Sequence, residues 1–361
     1  MPADAWYNNA VSTLTNAGIL DGYEDGTFKP DGNITRAEFA TIAVRFFEAT
    51  YDGEDLFSDI AGHWAQDYIN EAANAGIVDG YPDGTFRPTG TLTGNAFMKM
   101  LLGALGYDSS IEHYTGSNWQ VNVVKQAIGI GLKDGNDEFV GSKAVTRQEA
   151  ALYALNMLKA TMVEYDTKST VVVGDVQIST SSTRTDVSNE NGRTDGNIKD
   201  DDKMQFAERY FDDLKMEGGS DDFGRPANVW TYKSDEVGTY AKASDLVATF
   251  TSKVTSADVY DAVGKAVYDS LDDGKSDLVS YIDGVKTDVK AADVDDYVEK
   301  NNTTKVNDSG NGMLTEVYVD DDNNVTIVSI NTYVFQAVSD YSSSKDSVSP
   351  DHCRRHQHHP L

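Results

Sequence analysis

Apolar positions in the first 160 or so residues fall into one short pattern used repeatedly. Trp64, Ile69, Ala72 and Ala73 lie near helical spacing and predict a helix with one buried stripe. Gly76 follows as a left-handed C-cap. Asp83-Gly84 marks a tight turn, and Phe86 is placed to plug that loop into a core. A second helix is predicted to start at Thr93. Such a helix–loop–helix unit cannot bury its apolar face alone, so neighbouring copies must pack together.

The unit recurs without a gap at an offset of 58 residues, from Trp6 and Trp64 through Val44 and Leu102. Asn16-Ala17-Gly18-Ile19 returns as Asn74-Ala75-Gly76-Ile77, and Asp25-Gly26-Thr27-Phe28 returns as Asp83-Gly84-Thr85-Phe86. A weaker third copy starts at Trp119. Its loop is two residues shorter, with Phe139 in the place of Phe86, and it closes with Val145-Thr146-Arg147-Gln148-Glu149-Ala150.

The second helix of each copy opens differently. Thr35-Arg36-Ala37-Glu38 and Thr146-Arg147-Gln148-Glu149 have the spacing of a capping box, in which Thr35 with Glu38, and Thr146 with Glu149, bond reciprocally. Thr93-Gly94-Asn95-Ala96 lacks both the cation and the acid. Arg36 stands at the first helical position, where a positive charge opposes the helix dipole. Two readings fit it: an anion site beside free helix N–H groups, or a surface ion pair with a nearby carboxylate.

These residues resemble the S-layer homology (SLH) repeat. The resemblance rests on Gly80-Tyr81-Pro82-Asp83-Gly84-Thr85-Phe86, on Ile34-Thr35-Arg36-Ala37-Glu38-Phe39, and on the opening Phe57-Ser58-Asp59-Ile60-Ala61-Gly62-His63-Trp64. It implies a multidomain chain: an all-α pseudo-threefold SLH trimer module followed by a β-rich (α+β) region. It further implies non-covalent anchoring of an exported protein at the cell surface, cell wall or S-layer. The ligand so implied is an anionic secondary cell-wall polysaccharide, often carrying a pyruvate ketal. On the resemblance, Arg36 and Arg147 face the ketal carboxylate. Asp59, Tyr23, Tyr81 and Trp64 join them as candidate polysaccharide contacts, while Thr35, Glu38, Thr146 and Glu149 shape the helix starts. Trp6, Trp64 and Trp119 have two readings, as faces that stack on sugar rings and as core residues at helix starts, the second favoured for the buried face. Because Gly94 and Ala96 replace Arg and Glu, the groove of repeat two is expected to be weak or silent, leaving at most two competent grooves.

The implied boundaries are repeat one at 1–48, repeat two at 56–107 and repeat three at 115–162. A linker with a short hairpin and helix follows at 163–222, then β-rich surface domains at 223–345 and a disordered or artefactual tail at 346–361. The hairpin is read around Gly174-Asp175, the stretch 179–203 as linker or exposed loop, and 206–216 as a short helix. Val259, Val263, Val267 and Leu271 predict one amphipathic helix over 257–271. Val317, Val319, Val325 and Ile327 predict a hairpin around Asp320-Asp321-Asp322-Asn323-Asn324, whose acids suit a solvated turn better than a calcium site.

Composition narrows the partners. Fifty-nine acidic against 30 basic residues give a formal charge of −29, which repels nucleic acid and anionic lipid. No apolar run approaches the ~20 residues of a membrane span. The opening Met1-Pro2-Ala3-Asp4-Ala5 has neither the basic nor the apolar region of a signal peptide. Cys353 is the only cysteine, so no intrachain disulfide is expected. A calcium-loop reading of 21–32 fails at Tyr23 and Gly32. No nucleophile–base pair, metal cluster, phosphate loop or dinucleotide fingerprint is recognised, so neither catalytic residues, metal nor cofactor are expected. The expected partners are a cell-wall polysaccharide and other S-layer or surface proteins. The alternative is a wall-anchored polysaccharide or peptidoglycan hydrolase with an unrecognised catalytic domain. The tail from Asp351 holds four of the six histidines and reads as a metal-binding run, a frameshifted end or a cloning remnant.

Overall fold

A computed structural model describes residues 6–23, 25–47, 51–166, 170–173, 176–179, 182–189, 196–290, 293–332, 335–337 and 350–352. The chain divides into two compact units, residues 1–217 with 229–238 and residues 218–228 with 239–361.

The first unit opens with six helices: α1 (Asn8–Asn16), α2 (Arg36–Phe47), α3 (Gln66–Asn74), α4 (Gly94–Ala104), α5 (Trp119–Gly129) and α6 (Arg147–Lys159). The first helix of each copy is followed by a glycine in the left-handed region, Gly18, Gly76 and Gly131, with φ of 71, 72 and 76°. That conformation is nearly free for glycine and strained for other residues. The loops after Gly18 and Gly76 close in the same way. Tyr23 N–H donates to Thr27 O and Tyr81 N–H to Thr85 O, each at 2.8 Å. Phe86 is fully buried, as its loop-plugging role requires.

The three copies are joined where their second helices start. Ile34 N–H donates to Val145 O at 2.9 Å, Val145 N–H to Leu92 O at 2.8 Å, and Leu92 N–H to Ile34 O at 3.4 Å, closing a ring. All three side chains are buried. The first free helix amides also find partners in another copy, which satisfies donors that a helix start otherwise leaves open. Arg36 N–H reaches Gly90 O, Gly94 N–H reaches Lys143 O, and Arg147 N–H reaches Gly32 O. Beneath the ring, Phe39 packs edge-on against Phe97 at 5.1 Å, and Phe97 lies 6.0 Å from Tyr153.

Beyond the helices the chain departs from the expected elements. β1 (Val163–Tyr165) pairs antiparallel with β4 (Arg184–Asp186), so part of the expected loop at 179–203 is a strand. Between them β2 (Thr170–Val173) pairs with β3 (Val176–Ser179) as the expected hairpin; its Gly174-Asp175 turn lies outside the described residues. The helix expected over 206–216 is only α7 (Phe206–Tyr210). Phe211 leaves helical geometry at φ −136°, and buried Leu214 opens a strand instead. β5 (Leu214–Ser220), β6 (Pro226–Tyr232) and β7 (Asp235–Ala241) form a three-stranded sheet in that order.

The second unit adds β8 (Leu246–Phe250), α8 (Ser256–Val263), α9 (Lys265–Asp272), β9 (Leu278–Ile282), β10 (Val285–Lys286), α10 (Val294–Tyr297), β11 (Met313–Val319) and β12 (Val325–Asn331). Its sheet runs β10-β9-β12-β11-β8, antiparallel except for the parallel pair β9–β12. Val259, Val267 and Leu271 pack with Val317, Val325 and Ile327 in one core. The single helix expected over 257–271 is two helices, because Gly264 takes φ 83° and breaks it. The acidic hairpin loop bonds to itself: Asp320 accepts from Asp322 N–H, Asn324 N–H and Asn324 Nδ2. Finally, β13 (Phe335–Ala337) pairs with β14 (Pro350–His352), so part of the expected tail is strand. Residues 353–361, with Cys353 and three of the tail histidines, lie outside the described residues.

Candidate binding grooves

Both predicted capping boxes form. Thr35 N–H donates to Glu38 Oε2 at 2.8 Å and Glu38 N–H to Thr35 Oγ1 at 3.2 Å. Thr146 and Glu149 bond in the same reciprocal way, at 2.8 and 3.4 Å. Thr93 keeps half of the arrangement, accepting from Ala96 N–H at 3.3 Å with no acid to return the bond.

The two arginines leave their own copies. Arg36 donates from Nε to Phe86 O and from Nη2 to Asp79 O, each at 2.7 Å. Its guanidinium lies 5.1 Å from the Tyr81 ring centroid and 4.3 Å from that of Phe86. Arg147 repeats this on repeat one, donating from Nε to Phe28 O at 2.9 Å and from Nη2 to Asp21 O at 3.0 Å. It lies 4.6 Å from Tyr23 and 4.8 Å from Phe28. Both side chains are more than nine-tenths buried. Burial pushes the Arg36 pKa down from its ordinary value, against the pull of Tyr81 and Asp79. Each arginine thus clamps another copy's loop and floors the groove beside it.

Two grooves result. The first, about 740 Å³, lies beside the repeat-one loop and α2, with Arg147, Glu38, Tyr23 and Trp64 among its lining. The second, about 350 Å³, lies beside the repeat-two loop and α4, lined by Arg36, Tyr81, Ala96, Lys99 and Trp119. This corrects the premise that the groove of repeat two is left without a cation. Its groove has a cation, because Arg36 is supplied by repeat one. That expectation assigned each arginine to its own copy, and no periodicity in the sequence shows which neighbour a side chain enters.

The position left without a cation faces loop three instead. A Cβ at Gly94 would lie 2.8 Å from Phe139 Cε2 and 3.0 Å from Gly141 Cα. The shortened third loop fills the space where an arginine would run. Asn136 Nδ2 donates there to Glu149 Oε1 at 3.2 Å and to the Tyr153 hydroxyl at 2.7 Å.

The remaining candidates separate. Asp59 accepts from Phe86 N–H at 2.7 Å and Arg87 N–H at 2.8 Å, so its carboxylate is engaged in fixing the loop. Tyr23 and Tyr81 are a little over one-third exposed beside the two arginines. Trp64 is 63% exposed and Trp6 46% exposed, which overturns their reading as core residues. α3 starts only at Gln66, so Trp64 belongs to the turn before it, and Ala65, Ile69 and Ala72 take the buried positions. Trp119, read from the sequence as a sugar-stacking or a core residue, lines the smaller groove; Arg45 and Lys99 were not singled out. Only the repeat offset, applied to residues outside the shared motif, would have found them.

Comparison with known proteins agrees with the repeats. The S-layer homology domain model matches residues 2–40 and 56–97, which lie in the first two copies. Cell surface glycoprotein 1 of Acetivibrio thermocellus is 45% identical over 95 residues, covering 23% of this chain and 4% of that protein. The cellulosome-anchoring protein of the same organism is 44% identical over 93 residues, covering 24% of this chain and 21% of its own length. An amylopullulanase of Thermoanaerobacterium thermosulfurigenes is 29% identical over 174 residues, covering 43% of this chain and 9% of that enzyme. The chain therefore carries S-layer homology repeats and spans a small part of these relatives. The domain match and the names of two relatives, one a cell surface glycoprotein and one an anchoring protein, support a cell-wall or cell-surface location. Among the described residues no helix is long and apolar enough to cross a membrane.

Proposed function

We propose that these S-layer homology repeats form an all-α pseudo-threefold module, residues 1–162, that anchors the chain non-covalently to the bacterial cell wall. Its ligand is an anionic secondary cell-wall polysaccharide, in the pyruvylated form that the resemblance implies. Residues 223–345 are displayed outward as a structural or interaction region, open to other S-layer or surface proteins.

The observation that carries this reading is a buried arginine flooring each of two grooves beside an exposed tyrosine. A guanidinium suits a carboxylate, and a tyrosine or tryptophan face suits a sugar ring. Two modest sites on one module engage a repeating polymer more firmly than either alone. The anchoring role needs no catalytic residue. The second reading, a wall-anchored hydrolase, is favoured by the similarity to an amylopullulanase and would place the chemistry outside the repeats.

The test is co-sedimentation of the full chain with purified wall sacculi, native and stripped of secondary polymer. Binding to native walls alone supports anchoring by that polymer. Equal binding to stripped walls, or none to either, contradicts it. Release of labelled sugar from the pelleted walls would establish the hydrolase.

A further inference from the structure

Repeats one and two each have a hollow between the first helix and the loop after it, and they differ in what fills it. In repeat two Phe57-Ser58-Asp59 occupies it. The Phe57 ring lies 5.3 Å from that of Phe86, and a Cβ on Gly80 would run into it. Ser58 N–H donates to Gly84 O at 3.0 Å. The Asp59 carboxylate accepts from the amides of Phe86 and Arg87, and Phe86 is fully buried.

Counting back 58 residues from Phe57 and Asp59 leads to residue 1 and beyond it, so no described residue stands in their place in repeat one. The hollow there is about 1070 Å³. Tyr7 and Val11 line it from α1 and the turn before it. Gly22, Gly26, Phe28 and Lys29 line it from the loop, and they are the counterparts of the four residues that hold the segment in repeat two. Each of their contacts is open. A Cβ on Gly22 would meet nothing beyond the Thr27 backbone. Among the described residues nothing accepts from the Phe28 and Lys29 amides, and nothing donates to Gly26 O. Phe28 is only partly buried.

We propose that this hollow binds an extended peptide carrying Phe-x-Asp, presented by a second polypeptide at the cell surface. Its aspartate would take the two free amides in a charge-assisted pair, and its ring would pack on Phe28. Both Phe-x-Asp runs of this chain are in use, so a second copy does not supply it. Phe57-Ser58-Asp59 is held in repeat two. Phe211-Asp212-Asp213 is tied down by Asn197 Nδ2 on Asp212 O and by Lys233 N–H on Asp213 O. The hollow reads those three positions and not the two before them. In repeat two Asn70 holds the preceding residues, accepting from Leu56 N–H and donating to Asp55. Ser12 stands in its place and bonds Asn8. The ligand is a peptide, so this site stands whether or not the grooves take a polysaccharide.

The test titrates the full chain with a synthetic peptide of the sequence Asp-Leu-Phe-Ser-Asp-Ile-Ala, that of residues 55–61, and follows backbone amide resonances. Phe28 and Lys29 should shift. Phe86 and Arg87, whose acceptor is already in place, should stay still. Asparagine at the second aspartate of the peptide, or alanine at its phenylalanine, should each weaken binding by about tenfold or more, the worth of one charge-assisted hydrogen bond or one buried ring. A second form of the chain carries Asp-Leu-Phe-Ser-Asp in the place of Met1, at the spacing to Trp6 that Asp59 has to Trp64. It should fill its own hollow and leave the free peptide without effect.

A peptide that moves neither Phe28 nor Lys29 overturns the proposal. So do shifts that both altered peptides reproduce in full. If the free peptide does nothing and the joined residues alone move the two amides, the hollow belongs to a segment ahead of Trp6 in the same chain, and the separate partner is ruled out.

Discussion

Gly94 lies against Phe139, with room for a hydrogen and not for a methyl group: a Cβ there would sit 2.8 Å from the ring. In the second copy the third loop closes over the position that holds an arginine in the other two. Gly94→Ala should destabilise the first unit by about 1–3 kcal/mol, the usual range for overpacking. Gly94→Arg, which restores the repeat pattern, should be worse. Urea denaturation of both variants checks this; an Arg variant as stable as wild type would mean that loop three moves aside without cost.

The capping boxes give a graded expectation. Thr146→Ala removes an acceptor that is part of a reciprocal pair and should cost about 1 kcal/mol. Thr93→Ala removes a single 3.3 Å bond and should cost less. Thermal unfolding of the two single variants ranks them.

Asp59 is predicted to act through the loop. Its carboxylate accepts two backbone amides, from Phe86 and Arg87, and holds the carbonyl of Phe86 where Arg36 Nε meets it. Asp59→Ala should lower stability by about 1.5–3 kcal/mol, the range for hydrogen bonds to a charged group. It should also shift the Arg36 Nε–H resonance. A stable variant with an unmoved Arg36 signal would detach Asp59 from the groove.

The two loop turns carry a pH signature. The Thr27 hydroxyl, then the Thr27 amide and Lys29, hold the Asp25 pKa down to about 2. The Thr85 hydroxyl, then Arg87 and the Thr85 amide, do the same for Asp83. Both folded values lie below the ordinary 3.8. The contribution of these turns is therefore present above that value and lost as pH falls through about 2. The amide resonances of Thr27 and Thr85 should titrate with midpoints near 2; midpoints near 3.8 would show that the turns do not bond as described.

Much of the first unit was legible in the sequence because its cues are local. A left-handed glycine, an Asx turn and a Thr–Glu cap each occupy a few consecutive residues, and a repeat shows them twice. The crossing of Arg36 into repeat two was not legible, because it depends on how whole copies are arranged. Trp64 was misread for a related reason: an aromatic near a predicted helix looks like core, and only the observed start at Gln66 moves it out. In the second unit the valine spacing over 257–271 was right, and Gly264 within it was the unheeded break.

If the arginine-floored grooves hold the wall polymer, binding to walls must depend on the two guanidiniums. The deciding measurement is sedimentation of the full chain with native sacculi for wild type, Arg36→Ala, Arg147→Ala and the double variant. Melting curves would first establish that each is folded at the assay temperature. Each single change should weaken polymer-dependent binding, and the double variant should stay in the supernatant. A folded double variant that pellets like wild type would contradict that dependence.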